Sequence, residues 1–277
     1  MTWILLAAAL LCGFLPGRGR AAAAPLLIMS LALAVYHHFL APAGVAVLAV
    51  IALVMAARRR YRHHRVGAAA CELFLLLCCL GLFMHLLPGF HNPRIINDVR
   101  LGPASAPFTL YLNLDKALTP VMLLACLPNL VSRAVSPVPR YYWAGLILAI
   151  PALLGLATVL GGLRPEAHWP SGLGWFALSN LFFVALPEEA LFRGYLLQRF
   201  WDATGSRATA LAASSLLFGL AHVAGGGMLV FFSALAGVLY GLVWLWSGKL
   251  WLAALFHFLL NLTHLLFFTY PFYQPAG

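Results

Sequence analysis

Charge is what this sequence of 277 residues has least of: Asp, Glu, Lys and Arg together make up 9% of it. A soluble domain carries roughly 25%, so the chain cannot coat a water-borne globule with polar surface. Acidic residues are scarcest, seven against 17 Lys and Arg, for a formal charge of +10. That excess does not describe a nucleic-acid-binding face, which would gather basic residues in a patch. Here they stand at the ends of apolar runs, as the topology signals of a membrane protein do. Five cysteines are present, Cys12, Cys71, Cys78, Cys79 and Cys126. All lie in or beside apolar runs and none in a loop cluster, which excludes a disulfide framework and leaves them as small packing residues. No Lys or Arg precedes the first apolar run, Trp3 to Pro16, whereas Arg18 and Arg20 follow it. A cleaved signal peptide needs the reverse order, so the run reads as a retained span with its N-terminus outside. No internal repeat, low-complexity tract or soluble domain stands out.

What the sequence has is hydrocarbon: 63% of its residues are hydrophobic. Apolar stretches of about 15–22 residues recur, each near the length needed to cross about 30 Å of lipid. Where water cannot satisfy backbone groups, only helices or a closed barrel can span. The runs are continuous rather than alternating, which selects helices. The expected fold is therefore an all-α, polytopic transmembrane helix bundle of about 8–10 spans. Beyond the first run, spans are expected at about 22–40, 43–57, 68–87, 118–131, 141–160, 172–200, 207–224, 228–247 and 250–270. The most basic loop, Arg58 to Arg65, belongs in the cytoplasm. Counting crossings from there places Arg18/Arg20, Arg133/Arg140, Arg199/Arg207 and Lys249 on the same side. The longest polar stretch, His91 to Lys116, reads as an extracytoplasmic or interfacial segment, with a lid or substrate-docking element as the functional alternative.

Two of the seven acidic residues are adjacent, Glu188 and Glu189, at the end of the apolar run Trp175 to Pro187. A carboxylate at bilayer depth costs about 2.5–3.5 kcal/mol on insertion scales. Arg193 follows Glu189 by four residues, so the two share a helix face and can pair. Glu188 points about 100° away and lacks that partner. The spacing divides the pair into a structural glutamate and a free carboxylate available as a general base. Taken alone, the three residues equally suit a wet cap at the cytoplasmic interface. The next span carries Phe218 and His222, and the last carries His257 and Asn261, again four apart on one face. A rise of about 1.5 Å per residue from turns near Gly205 and Gly248 puts Glu188 and His222 roughly 25 Å along their helices. The same arithmetic puts His257 and Asn261 at roughly 14–20 Å, so the four polar stations can converge inside the bilayer.

The ordered set Glu188-Glu189-x-x-x-Arg193, Phe218-x-x-x-His222 and His257-x-x-x-Asn261 resembles the three-motif signature of the CPBP family. That family includes the CAAX prenyl endopeptidases and bacterial relatives of the abortive-infection type. The match covers roughly residues 170–270, which divides the chain into an N-terminal transmembrane region, 1–165, and a CPBP-like catalytic core, 166–277. The resemblance implies an intramembrane endopeptidase without cofactor, embedded in the bilayer of a bacterial inner membrane, whose partner is a membrane-embedded or membrane-anchored protein substrate. In it, Glu188 would activate a water that His222 orients, and His257 and Asn261 would stabilise the oxyanion. Glu189, Arg193 and Phe218 would hold the site in register. Three alternatives stand beside it. A zinc endopeptidase would use Glu188, His222 and His257 as ligands, although no His-Glu-x-x-His helix is present. A transporter or channel would use the same residues as a proton relay. A non-catalytic family member would bind and escort membrane partners.

Overall fold

Lipid-length apolar runs become helices wherever proline and glycine allow. In the computed structural model, which describes residues 1–14 and 20–274, the helices are α1 (Thr2–Phe14), α2 (Arg20–Tyr36), α3 (Pro42–Arg60), α4 (Arg65–Phe83), α5 (Leu114–Cys126), α6 (Arg140–Val159), α7 (Leu173–Thr204), α8 (Arg207–Leu220), α9 (Gly226–Ser247) and α10 (Leu250–Phe267). The fold is an all-α polytopic bundle. Six helices, α3, α4, α6, α7, α9 and α10, are long and apolar enough to cross a membrane, while α1, α2 and α8 are shorter apolar helices. Arg18 and Pro16 lie outside the described residues.

Two segments depart from the expected pattern. The polar stretch after His91 contains an antiparallel pair, β1 (Arg94–Val99) and β2 (Phe108–Tyr111), with Ile96 opposite Leu110 and Val99 opposite Phe108. Phe108 and Leu110 turn inward and pack with Phe176 of α7 and Leu265 of α10. The run expected to span 118–131 is instead α5, 13 residues long, which begins at Leu114 and stops at Cys126. Its end follows from Pro128, which drives the preceding Leu127 to an extended backbone, φ −138° and ψ 99°. At about 1.5 Å per residue such a helix is roughly 20 Å long and reaches only part of the way through the bilayer.

Both ends of the bundle are tied by polar contacts. At the basic end, the turn between α9 and α10 is docked on the segment after α5. Arg133 N–H donates to Gly248 O at 2.8 Å. Gly248 has φ +62°, and a Cβ there would lie 1.9 Å from Arg133 O, so only glycine serves. Arg133 pairs with Asp202 at 2.9 Å, and Arg133 and Arg207 both lie against the Trp201 ring. Glu72 of α4 gathers Arg58 of α3 and Arg199 of α7, and accepts the Tyr195 hydroxyl at 2.5 Å. Arg58, Arg133, Arg199, Arg207 and Lys249 thus share one end, as the crossing count requires.

At the opposite end a buried clasp joins three distant segments. Glu166, in the loop between α6 and α7, accepts the Ser105 hydroxyl at 2.5 Å and Ala104 N–H at 3.0 Å. His168 Nε2 lies 2.9 Å from the same carboxylate, and its Nδ1 lies 2.8 Å from Leu265 O. Tyr270 N–H donates to Ser105 Oγ at 3.0 Å. Burial raises the Glu166 carboxyl, but the Ser105 hydroxyl, Ala104 N–H and His168 outweigh it and hold the group below its ordinary value of 4.5. A depressed carboxyl stabilises the fold fully above that ordinary value and loses the contribution as pH falls through its own lower value. Glu166→Gln is expected to lower stability at pH 7 by about 1–3 kcal/mol. Thermal unfolding in detergent should show the gap from wild type closing as pH drops below about 4.

Candidate active site

The adjacent glutamates sit on a helix of unusual local geometry. Pro187 has no N–H to give to the turn before it. The chain accommodates this with widened, π-helical turns over Asn180–Ala185 and Ala190–Leu197, on either side of the ordinary turn Leu186–Glu189. Leu186 N–H accordingly reaches back five residues to Leu181 O. Such widened turns recur at functional sites, because they re-aim side chains without ending the helix.

Glu189 and Arg193 are fully buried and form the ion pair that their spacing predicts, Nη1 donating to Oε1 at 3.0 Å. Arg193 Nη2 donates to Gly237 O of α9 at 2.8 Å, and the guanidinium lies 4.4 Å from the Phe218 ring centroid. His257 of α10 brings its Nδ1 to 2.9 Å from the same Glu189 oxygen. Its ring stacks on Tyr240 of α9, with centroids 4.4 Å apart and planes 12° apart. One carboxylate therefore fixes α7, α9 and α10 together.

Glu188 faces the other way, into a cavity of about 740 Å³. His222, His257, Asn261 and Phe218 line the same cavity, as do Asn180 and Tyr240. His222 stands just beyond the last turn of α8, where its Nδ1 is 2.8 Å from Phe218 O. A carbonyl only accepts, so Nδ1 carries the proton and the neutral ring offers Nε2 as an acceptor. Asn261 donates from Nδ2 to Asn180 Oδ1 at 3.3 Å, which leaves its second amide hydrogen free.

Glu188 is not the partnerless carboxylate that its spacing suggests. Lys116, in the first turn of α5, donates from Nζ to Glu188 Oε1 at 2.9 Å, and both side chains are largely buried. The lysine is set in place by its neighbours. Asp115 is buried, with His85 Nδ1 at 2.7 Å and Asn92 Nδ2 at 3.0 Å; Asn92 Oδ1 accepts Leu114 N–H at 2.8 Å. At its other end, α5 offers Cys126 O to Arg58 at 3.3 Å, at the basic end of the bundle. Ten residues separate Lys116 from Cys126, roughly 15 Å of helix, which puts the Lys116–Glu188 pair near mid-depth. In the sequence Lys116 closes the polar stretch that begins at His91, and the signal that marks it is an Asp-Lys pair opening an apolar run, the same anomaly as at Glu188. The polar stretch before it does reach the site, since β2 and Asn113 form part of the cavity wall.

Residues 170–263 match the family model described as type II CAAX prenyl endopeptidase Rce1-like, which covers about a third of the chain and all three motifs. Neither a curated protein nor a solved structure matches the chain. The family that the three motifs resemble and the family that residues 170–263 match are the same one, that of the CPBP, CAAX-type membrane endopeptidases.

Proposed function

We propose that this protein hydrolyses peptide bonds of membrane-anchored, lipidated or C-terminally tailed proteins, using a water activated by Glu188. The observation that carries the proposal is the convergence of Glu188, His222, His257 and Asn261, from three separate elements, on one cavity. The match of residues 170–263 to an endopeptidase family supports the same reaction class.

Water enters the cavity between Glu188 and His222. Glu188 takes one proton as the oxygen attacks the scissile carbonyl, and His222 Nε2 accepts the second hydrogen and aims the lone pair. The carbonyl oxygen becomes an oxyanion within reach of Asn261 and His257. The free Asn261 N–H donates to it; His257, when it carries a second proton, donates from Nε2 with Glu189 as counter-ion. Collapse of the tetrahedral intermediate breaks the C–N bond, and Glu188 returns its proton to the leaving amine. Lys116 holds the Glu188 carboxylate in place between turnovers by its ammonium charge. Glu189 and Arg193 touch no reacting atom; they hold His257 and the three helices that carry the site.

No metal is part of this proposal. Among the described residues no group of three His, Cys, Asp or Glu side chains is arranged to hold an ion. The Glu188 carboxylate already faces the Lys116 ammonium, which would repel a zinc ion drawn to the same oxygen.

Purified wild type and Glu188→Gln, incubated with a panel of membrane-anchored peptides and read by mass spectrometry, test the base directly. Glu188→Gln is expected to lose about 10²–10⁴-fold in kcat, with a stability loss of about 1–3 kcal/mol for the Lys116 ammonium it leaves without its carboxylate, and chelator is expected to leave the wild-type rate intact. Equal cleavage by both proteins overturns Glu188 as the base. Arg193→Leu should behave differently. It strands a buried carboxylate, for a loss of about 3–5 kcal/mol, visible as a fall in unfolding temperature before any assay is run. Lys116→Met should also destabilise, while Lys116→Met combined with Glu188→Gln should recover most of that loss. A double-mutant cycle on unfolding free energy is expected to give a coupling of about 1–3 kcal/mol; additive effects would dissolve the pair.

A further inference from the structure

The two ends of the bundle differ in charge, and the cavity belongs to one of them. Arg20, the five arginines between Arg58 and Arg65, Arg133, Arg140, Arg199, Arg207 and Lys249 all fall at one end. Contacts of Arg58 with Glu72, of Arg199 with Glu72, of Arg133 with Asp202 and of Arg133 with Gly248 join the helix termini there into a single face. The opposite face has Arg94, Arg100 and Arg164 set against Asp98 and Glu166. Short loops rich in Lys and Arg stay in the cytoplasm, so the clasp, the β1–β2 pair and the segment after α10 face the extracytoplasmic side.

Every element contributes to the cavity the part remote from the basic face. α6 gives Leu153, Leu154 and Ala157 from its last turns, and α7 gives nothing beyond Glu188. α8 gives Phe218 and the following turn His222, while α10 gives only His257 and residues after it. Towards the cytoplasm the part of α9 that lines the cavity ends at Tyr240, which is almost wholly buried and has the buried Arg193 guanidinium 5.3 Å from its ring centroid. At the far end it meets Tyr270 to Tyr273, held by Arg164, whose guanidinium lies 4.0 Å from the Tyr273 ring centroid. The side chains that α6 and α9 give the cavity are apolar except for Ser233, and the lining residues Met228 and Leu229 of α9 and Phe272 after α10 are exposed.

We infer that the cavity receives its substrate from the extracytoplasmic half of the bilayer: a polypeptide whose apolar anchor lies in the membrane and whose scissile bond sits at the anchor's extracytoplasmic end. This rests on the protease reading above for the cleavage step, but not for the side of access. A tail presented from the cytoplasm meets the basic face and then the buried Arg193–Tyr240 contact. An anchor lying in the extracytoplasmic half of the membrane instead meets the exposed Met228, Leu229 and Phe272, from which a mostly apolar lining leads to Glu188 and His222.

Two cysteine variants fix the orientation. In intact spheroplasts, a membrane-impermeant maleimide should label Asn97→Cys in the β1–β2 pair, and should label Arg62→Cys only after permeabilisation, with wild type as the blank. The reverse pattern overturns the inference. Access is then read with two single-span peptides of about 20 Leu and Ala residues, each with a polar tail at one end and a photo-crosslinker at the junction. They are reconstituted with the Glu188→Gln protein, which retains the cavity, so that the junction lies on the Asn97 side or the Arg62 side. Crosslinking at least ten-fold stronger for the Asn97-side peptide is expected. Equal crosslinking, stronger crosslinking of the other peptide, or none from either overturns the inference. Asn97-side crosslinking without cleavage by wild type would sink the protease reading and leave the side of access standing.

Discussion

The structure depends on neutralising two successive carboxylates inside hydrocarbon. A single α7 turn presents Glu188 and Glu189 on different faces, so no one cation can serve both. Glu189 is charge-paired at Oε1, from within its own helix by Arg193 and from α10 by His257. Glu188 is satisfied from α5 by Lys116. Each solution recruits a further helix: α9 through Gly237, α10 through His257, and α5 through its lysine. The packing of four helices follows from the cost of leaving either charge alone.

Much of this could be read from the chain before any coordinates. The division of labour between Glu188 and Glu189 follows from an i, i+4 relation within one helix, and local geometry is what sequence spacing encodes best. The apolar runs translated into helices with modest shifts at their ends, because hydrocarbon length leaves few alternatives. What stayed hidden is long-range. Lys116 and Glu188 are 72 positions apart, and no periodicity relates a lysine on a half-length helix to a glutamate on another. The clasp of Ser105, Glu166 and His168 likewise draws on two loops and a chain terminus. Asn180, which orients Asn261, is an isolated polar residue in an apolar run, and only the pairing of α7 with α10 gives it a partner. The two-strand pair was missed because its segment reads as polar loop; its inward side chains are only Phe108 and Leu110.

The family match and the N-terminal region meet at the site. Residues 170–263 contain the glutamates, both histidines and Asn261, but not Lys116 or the Asp115–Asn92–His85 group that positions it. A main hydrophobic core runs without a break from Leu6 of α1 to Leu260 of α10. The first half of the chain is thus continuous with the second in packing, and contributes the one ammonium group in direct contact with Glu188.

The half-length of α5 has a consequence for the bilayer itself. A helix of roughly 20 Å leaves about 10 Å of the hydrocarbon thickness to be filled by the polar chain from Met84 to Asn113, with its asparagines and strand pair. Lipid seals poorly against such a surface, a mismatch that a bilayer relieves by thinning locally. Thinning confined to that end would be a one-sided dielectric funnel, bringing hydration towards the cavity that holds Glu188 while the basic end keeps its full hydrocarbon depth. A hydrolase can be supplied with water in this way without short-circuiting the ion gradients of the membrane it occupies.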